Sequence, residues 1–326
     1  MIQQFRNLNF INLIFLFILL LMLRIGIYIN LPAEINTGFV ELFSRLLWPT
    51  PPNTVLAPVL NITAAAIVVY AQSLIFNKII NNYNILGKSG FLGALFFIVA
   101  SSVFTPFLFL SPPLFCNFFL LYVLHKILSE YKNADSINSM FDLGLIAALG
   151  TFIYFPFVLF LLFLWIALII LRPFNWREWV SVIIGYITIV FFLGVYYYWN
   201  GRLLDFYEIW KPLSNTFPFN IRIQIIDYIV LFPIAVCVIL GIAHIRQNFF
   251  KSFVQVRKTF QLLFFLFLIA ALSFYLKPDF RINHFLLCVI PVATVLAYYF
   301  ASAKIRWIYE SLFVVIISFV VYFQFV

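Results

Sequence analysis

The chain has 326 residues, 65% hydrophobic and only 10% charged, with a mean hydropathy of +1.09. A soluble core never needs apolar surface on every face of nearly every helix, whereas lipid-facing helices do, so a soluble globular class is excluded. The formal charge of +9 does not point to nucleic acid, because the basic residues stand between apolar runs, where they orient helices and meet membrane lipids.

From the N-terminus, Arg6 precedes an apolar run that opens at Phe10 and reaches Leu23. No small-residue cleavage site follows, so this is a retained first span rather than a removed signal. Predicted spans then cover 10–29, 53–76, 90–110, 113–128, 154–171, 179–199, 226–243, 259–276, 283–303 and 307–325. Each approaches the ~20 residues that cross a hydrocarbon core. Ser111-Pro112-Pro113 separates the third from the fourth, since consecutive prolines remove amide donors.

Residues 141–171 are long for one span and short for two, with Gly144, Gly150 and Pro156 as break points. Lys and Arg favour the cytoplasmic side and arbitrate between the two. With a cytoplasmic N-terminus and two short helices over 141–171, thirteen of the 20 basic residues fall inside and seven outside, Arg24 and Arg281 among the latter. With a single crossing the count is ten on each side and the bias vanishes. The expectation is an all-α polytopic membrane protein of about 11 transmembrane helices (10 if 141–171 is a single span), forming one domain over 1–326. It is multi-pass in a bacterial cell inner membrane, with its N-terminus in the cytoplasm.

Two cytoplasmic features stand out. Arg172-Pro-Phe-Asn-Trp-Arg-Glu-Trp179 reads as an interfacial turn in which Asn175 caps a helix with Glu178 at its third position, a capping box, while Trp176 and Trp179 lie at headgroup level. His244–Phe260 interleaves Arg246, Lys251, Arg257 and Lys258 with Phe249, Phe250 and Phe253, which predicts a helix lying in the membrane plane.

The external loops carry the candidate chemistry. Glu34 and Glu41 lie seven residues apart, on one face of a helix, where a carboxylate beside a low-dielectric boundary can act as general base. Glu41 and Arg45 also form an ordinary i,i+4 pair. Lys277-Pro-Asp-Phe-Arg-Ile-Asn-His284 is the most concentrated charge group of the C-terminal half. Lys277 and Arg281 suit phosphate oxygens, Asp279 balances them, and His284 opens the next apolar run as an interfacial hydrogen-bonder.

No Walker loop, dinucleotide glycine fingerprint, HExxH or GxSxG is present. Three scattered histidines and three unpaired cysteines, all in apolar runs, give no metal site, and no cofactor is indicated. Charges within spans are nearly lacking, which argues against a transporter built on a carboxylate relay.

An acidic first external loop, short broken helices mid-chain and a late basic motif before a proline-containing span, Arg281 to Pro291, resemble the GT-C-fold membrane glycosyltransferases. That resemblance implies sugar transfer from a polyprenyl-phosphate-linked substrate, with Glu34 as the catalytic acid-base group and Arg281 on the carrier phosphate. The family usually carries an Asp, often Asp-Glu, where Glu34 stands alone after Ala33. The chain also resembles an uncharacterised group of bacterial polytopic inner-membrane proteins with the same Arg-Pro-Phe-Asn-Trp-Arg-Glu-Trp type of turn. Two alternatives stand beside the transferase: a scaffold subunit of a membrane protein complex, and a lipid or small-solute transporter.

Overall fold

The computed structural model describes residues 2–32, 56–132, 136–211, 228–276 and 281–325, and these are helical throughout, without strands. After a helical turn at Ile2–Phe5 come α1 (Ile11–Met22), α2 (Ile25–Ile29), α3 (Leu56–Asn82), α4 (Leu92–Ala100), α5 (Pro112–Ser129), α6 (Ile137–Ile153) and α7 (Phe160–Leu171). The C-terminal half contributes α8 (Trp176–Trp199), α9 (Leu203–Trp210), α10 (Leu231–Asn248), α11 (Val254–Leu272), α12 (Val289–Ser302) and α13 (Arg306–Tyr322).

Among the described residues, six helical stretches are long and apolar enough to cross a membrane: Pro58–Asn82, Pro112–Ser129, Trp176–Trp199, Leu231–Lys251, Val254–Leu276 and Ile282–Ser302. Ile11–Met22, Ile137–Ile153 and Phe155–Leu171 are apolar but shorter. Exposure follows the same logic. Ile67, Phe192, Phe232 and Ile239 face outward, whereas Asn12, Arg24, Asn61, Gln72 and Asn117 are buried between helices. Apolar outside and polar inside is the pattern a bilayer selects, because lipid tails offer no hydrogen bonds.

Contacts define two ends of the bundle. At one, Arg6 donates to Phe300 O and Ala303 O at the C-terminus of α12 (2.6–3.1 Å) and lies over the Tyr309 ring. A cation there meets the negative end of the helix dipole. At the same end Phe91 N donates to Phe5 O (2.7 Å), and a Cβ on Gly90 would lie within 3 Å of the Phe5 and Arg6 carbonyls, so only glycine lets this turn close. At the other end Arg24 donates to Leu108 O, and Gln324 donates to Leu23 O.

The mid-chain hairpin turns back on itself. Arg172, after α7, donates to Glu130 O (2.9 Å), just before α6, so both ends of 137–171 lie at the Arg6 end. Tyr154 and the 3₁₀ turn Phe155–Leu159 reach the Arg24 end, where Pro156 helps stop α6 by removing an amide donor. α6 packs along α8 more closely than any other helix pair, because Gly144 meets the Val182 carbonyl and Gly185 the Phe141 carbonyl with no room for a side chain.

Three expectations need correction. The 90–110 span is helical only to Ala100, after which Ser101–Ser111 leaves the helix with a short 3₁₀ turn at Thr105–Leu108. Ser101 and Ser102 offer local side-chain competition for the backbone, and Pro106 forbids continuation. His244–Phe260 is no in-plane helix. α10 runs on to Asn248, a 3₁₀ turn takes Phe249–Lys251, and α11 starts at Val254. Asn248 Nδ2 to His244 O and Ser252 Oγ to Asn248 O fasten that turn.

The capping box is also half right. Asn175 Oδ1 accepts from Arg177 N (3.2 Å), but Glu178 is buried and paired with Arg172 (3.0 Å), and it accepts from Ser136 Oγ (3.1 Å). Charges are therefore present inside the protein, at Arg24, Glu130 and Glu178.

Two stability measurements follow. Gly144→Leu or Gly185→Leu should cost about 1–3 kcal/mol by overpacking, whereas Gly194→Ala, whose added Cβ would meet only ordinary contacts of 3.6 Å or more, should leave thermal unfolding in detergent unchanged. Glu178→Gln should cost about 3–5 kcal/mol because it strands a buried cation. The paired replacement Arg172→Met with Glu178→Leu should recover most of that loss.

Candidate functional site

The Arg24 end is where helices stop being regular. Four 3₁₀ segments gather there: Thr105–Leu108, Phe155–Leu159, Ser273–Leu276 and Ile282–Cys288. The first packs on the fourth, and the second on the third. Such segments leave backbone groups unpaired, and at membrane depth they persist only where other protein groups satisfy those atoms.

His284 is the hub of this layer. Its Nδ1 stands 2.7 Å from Tyr154 Oη, and its Nε2 stands 2.8 Å from Ala270 O and 3.1 Å from Ser273 Oγ. A carbonyl can only accept, so Nε2 carries a proton and donates to Ala270 O, while Nδ1 is hydrogen-bonded to the Tyr154 hydroxyl. Ser273 Oγ donates in turn to Ala270 O (2.9 Å). One imidazole thereby joins the end of α6, the end of α11 and the 3₁₀ segment before α12. Asn117 of α5 completes the frame by donating to Leu286 O (3.0 Å).

The aromatic surround is continuous. Trp210 of α9 meets Phe152 and Phe155 edge-on at 6.2 Å each, and Tyr228 meets Phe104 at 5.9 Å. Arg281, half-buried, sits at the N-cap of Ile282–Cys288 in extended backbone, and its carbonyl accepts from His284 N (3.0 Å).

Arg281 and His284 thus share one end of the bundle, but not one environment. His284 is 3% exposed, and both of its ring nitrogens meet other protein groups rather than the interface. Glu34, Glu41, Lys277 and Asp279 lie outside the described residues, as does Arg45.

Tyr154 and Ser273 escape sequence reasoning because nothing local marks them. They lie 130 and 11 residues from His284, respectively. Arg24 does leave a signal: it is a lone cation inside the apolar run 10–29, yet counting it as a loop charge hides its burial. The three cysteines are buried thiols, and Cys116 Sγ donates to Gly150 O (3.8 Å).

Because Tyr154 and His284 act as one unit, their replacement should be non-additive. His284→Leu and Tyr154→Phe should each cost about 1–3 kcal/mol by leaving a buried partner unsatisfied. The double variant should cost clearly less than the sum in denaturant unfolding.

No curated protein and no solved structure matches the chain. One family model does, over residues 40–326, and it is described as a family of unknown function (DUF6427). That match takes in nearly the whole helical bundle, including both partners of the Tyr154–His284 pair, and the chain belongs to this DUF6427 family.

Proposed function

We propose that this protein is an eleven-pass membrane protein of a bacterial inner membrane, with a cytoplasmic N-terminus, that works at its Arg24 end on a lipid-phosphate-linked substrate as a GT-C-like glycosyltransferase. The observation that carries the reading is the convergence of four of the six 3₁₀ segments among the described residues on one end of an apolar bundle, with Arg281 at its edge. Interrupted helices cost backbone hydrogen bonds in lipid, and proteins keep them where a polar substrate group must be met.

The alternating course of the chain supports the topology. Arg6, Lys126, Arg172 and Lys258 belong to the end where Glu130 meets Arg172 and where Lys258 Nζ donates to Leu171 O (3.3 Å). That end carries the basic excess of a cytoplasmic face.

In the proposed chemistry Glu34 serves as general base or orients the acceptor. Arg281, helped by Lys277, holds the carrier phosphate as negative charge grows on the leaving group. His284 keeps the Arg281 segment in place through Tyr154 and Ser273.

The test uses membranes carrying the full chain and a fluorescent polyprenyl-phosphate sugar. Glu34→Gln should abolish sugar transfer at unchanged expression, and Arg281→Ala should weaken carrier binding by about 1.5–3 kcal/mol. Transfer that survives Glu34→Gln overturns this reading. Reporter fusions after Lys88 and Lys258 should be cytoplasmic and one at the C-terminus external. A cytoplasmic C-terminus defeats the eleven-pass topology.

A scaffold subunit is the second reading. It draws on an open groove of about 600 Å³ along the outer face of α13, lined by Arg306, Trp307, Glu310, Ser311, Val314 and Val315. Stoichiometric co-purification of a membrane partner lost on Trp307→Ala would favour it.

A further inference from the structure

Arg24 stands at the break between α1 and α2, five residues before α2 ends, so it lies about 8 Å inside that end of the first span. Its side chain is wholly buried among Ile27, Ile62 and Leu108. One terminal nitrogen, Nη1, donates to Leu108 O (2.8 Å) and more weakly to Ile62 O (3.5 Å). The other edge is different: among the described residues Nε and Nη2 have no hydrogen-bond partner. Among the described residues no carboxylate pairs with it.

This contrasts with the other buried arginine. Arg172 is pinned by Glu178 and by Glu130 O. A guanidinium taken out of water without a counter-ion is among the costliest arrangements a membrane protein can keep, and such a group marks a ligand or an ion path. The backbone carbonyls occupy Nη1 and fix the plane of the guanidinium. They leave the Nε–Nη2 edge, which is the side-on fork that grips two oxygens of one oxyanion.

We propose that Arg24 is a binding site for a phosphate group, held bidentately on its Nε–Nη2 edge at the break between α1 and α2. The depth fits a phosphodiester at the boundary of headgroups and acyl chains. The site holds its anion whether or not a sugar is transferred, so it stands apart from the transferase reading.

The experiment takes the full-length protein, delipidated in detergent, and titrates it with phosphatidylglycerol, with diacylglycerol as the phosphate-free analogue, and with inorganic phosphate, read by native mass spectrometry and by thermal shift. One phosphatidylglycerol should bind and stabilise the protein, diacylglycerol should not, and Arg24→Gln should weaken binding tenfold or more. Arg24→Lys, which keeps the charge but loses the fork, should fall between. Binding of phosphatidylglycerol alone assigns a lipid headgroup, and binding of inorganic phosphate as well assigns a free anion. Equal binding of diacylglycerol, or unchanged lipid retention in Arg24→Gln, overturns the site. Should Arg24→Gln fail to fold, ¹⁵N–³¹P dipolar dephasing of the wild-type arginine side chains in phosphatidylglycerol nanodiscs decides. One dephased guanidinium that disappears in Arg24→Lys upholds the proposal, and none at all defeats it.

Discussion

Water is missing as a hydrogen-bond partner inside a bilayer, and the rest of this structure follows from that constraint. Every interruption of a helix must be repaired by other protein groups. The repairs repeat one device, a polar side chain reaching a backbone atom far away in sequence. Arg6 reaches Phe300 O, Gln72 reaches Leu114 O, Asn117 reaches Leu286 O, and Leu110 N finds Asn61 Oδ1. Hydrophobic burial supplies little preference between helices in lipid, so these bonds and close glycine contacts decide which helices are neighbours.

The two ends of the bundle use the constraint differently. The Arg6 end is closed by charge, with Arg172 and Glu178 paired, Ser136 and Ser139 donating to Glu178 and Glu130, and Lys258 on Leu171 O. The Arg24 end is closed by neutral contacts around His284, and its one fully buried cation keeps an unmatched edge. The two ends therefore differ in how their polar groups are satisfied, by ion pairs at one and by neutral contacts around His284 at the other.

Much of this was legible in the sequence, for physical reasons that can be named. Hydropathy located the apolar segments because a span must be about 20 residues long. Helix interruptions were harder. Pro112 and Pro113 were read as a stop, yet they also open α5, where a missing amide proton is harmless in the first turn. Glu178 looked like a capping residue since its spacing from Asn175 is local, while its true partner, Arg172, is fixed only when α7 returns beside α6. His284 looked interfacial because the partners that bury it lie on α6 and just past α11.

The hairpin over 137–171 shows how the levels connect. Basic-residue bias favours two short helices there, and the bond from Arg172 to Glu130 O brings both ends of the segment together. Neither helix is long enough to be recognised as a span by itself. They are held by what surrounds them: Gly144 against Val182 on one side, and Tyr154 against His284 at the tip. The tip cannot shift without breaking the His284 network, and the Arg281 segment follows directly on that network. A short hairpin therefore couples the charged lock at one end to the geometry of the candidate site at the other.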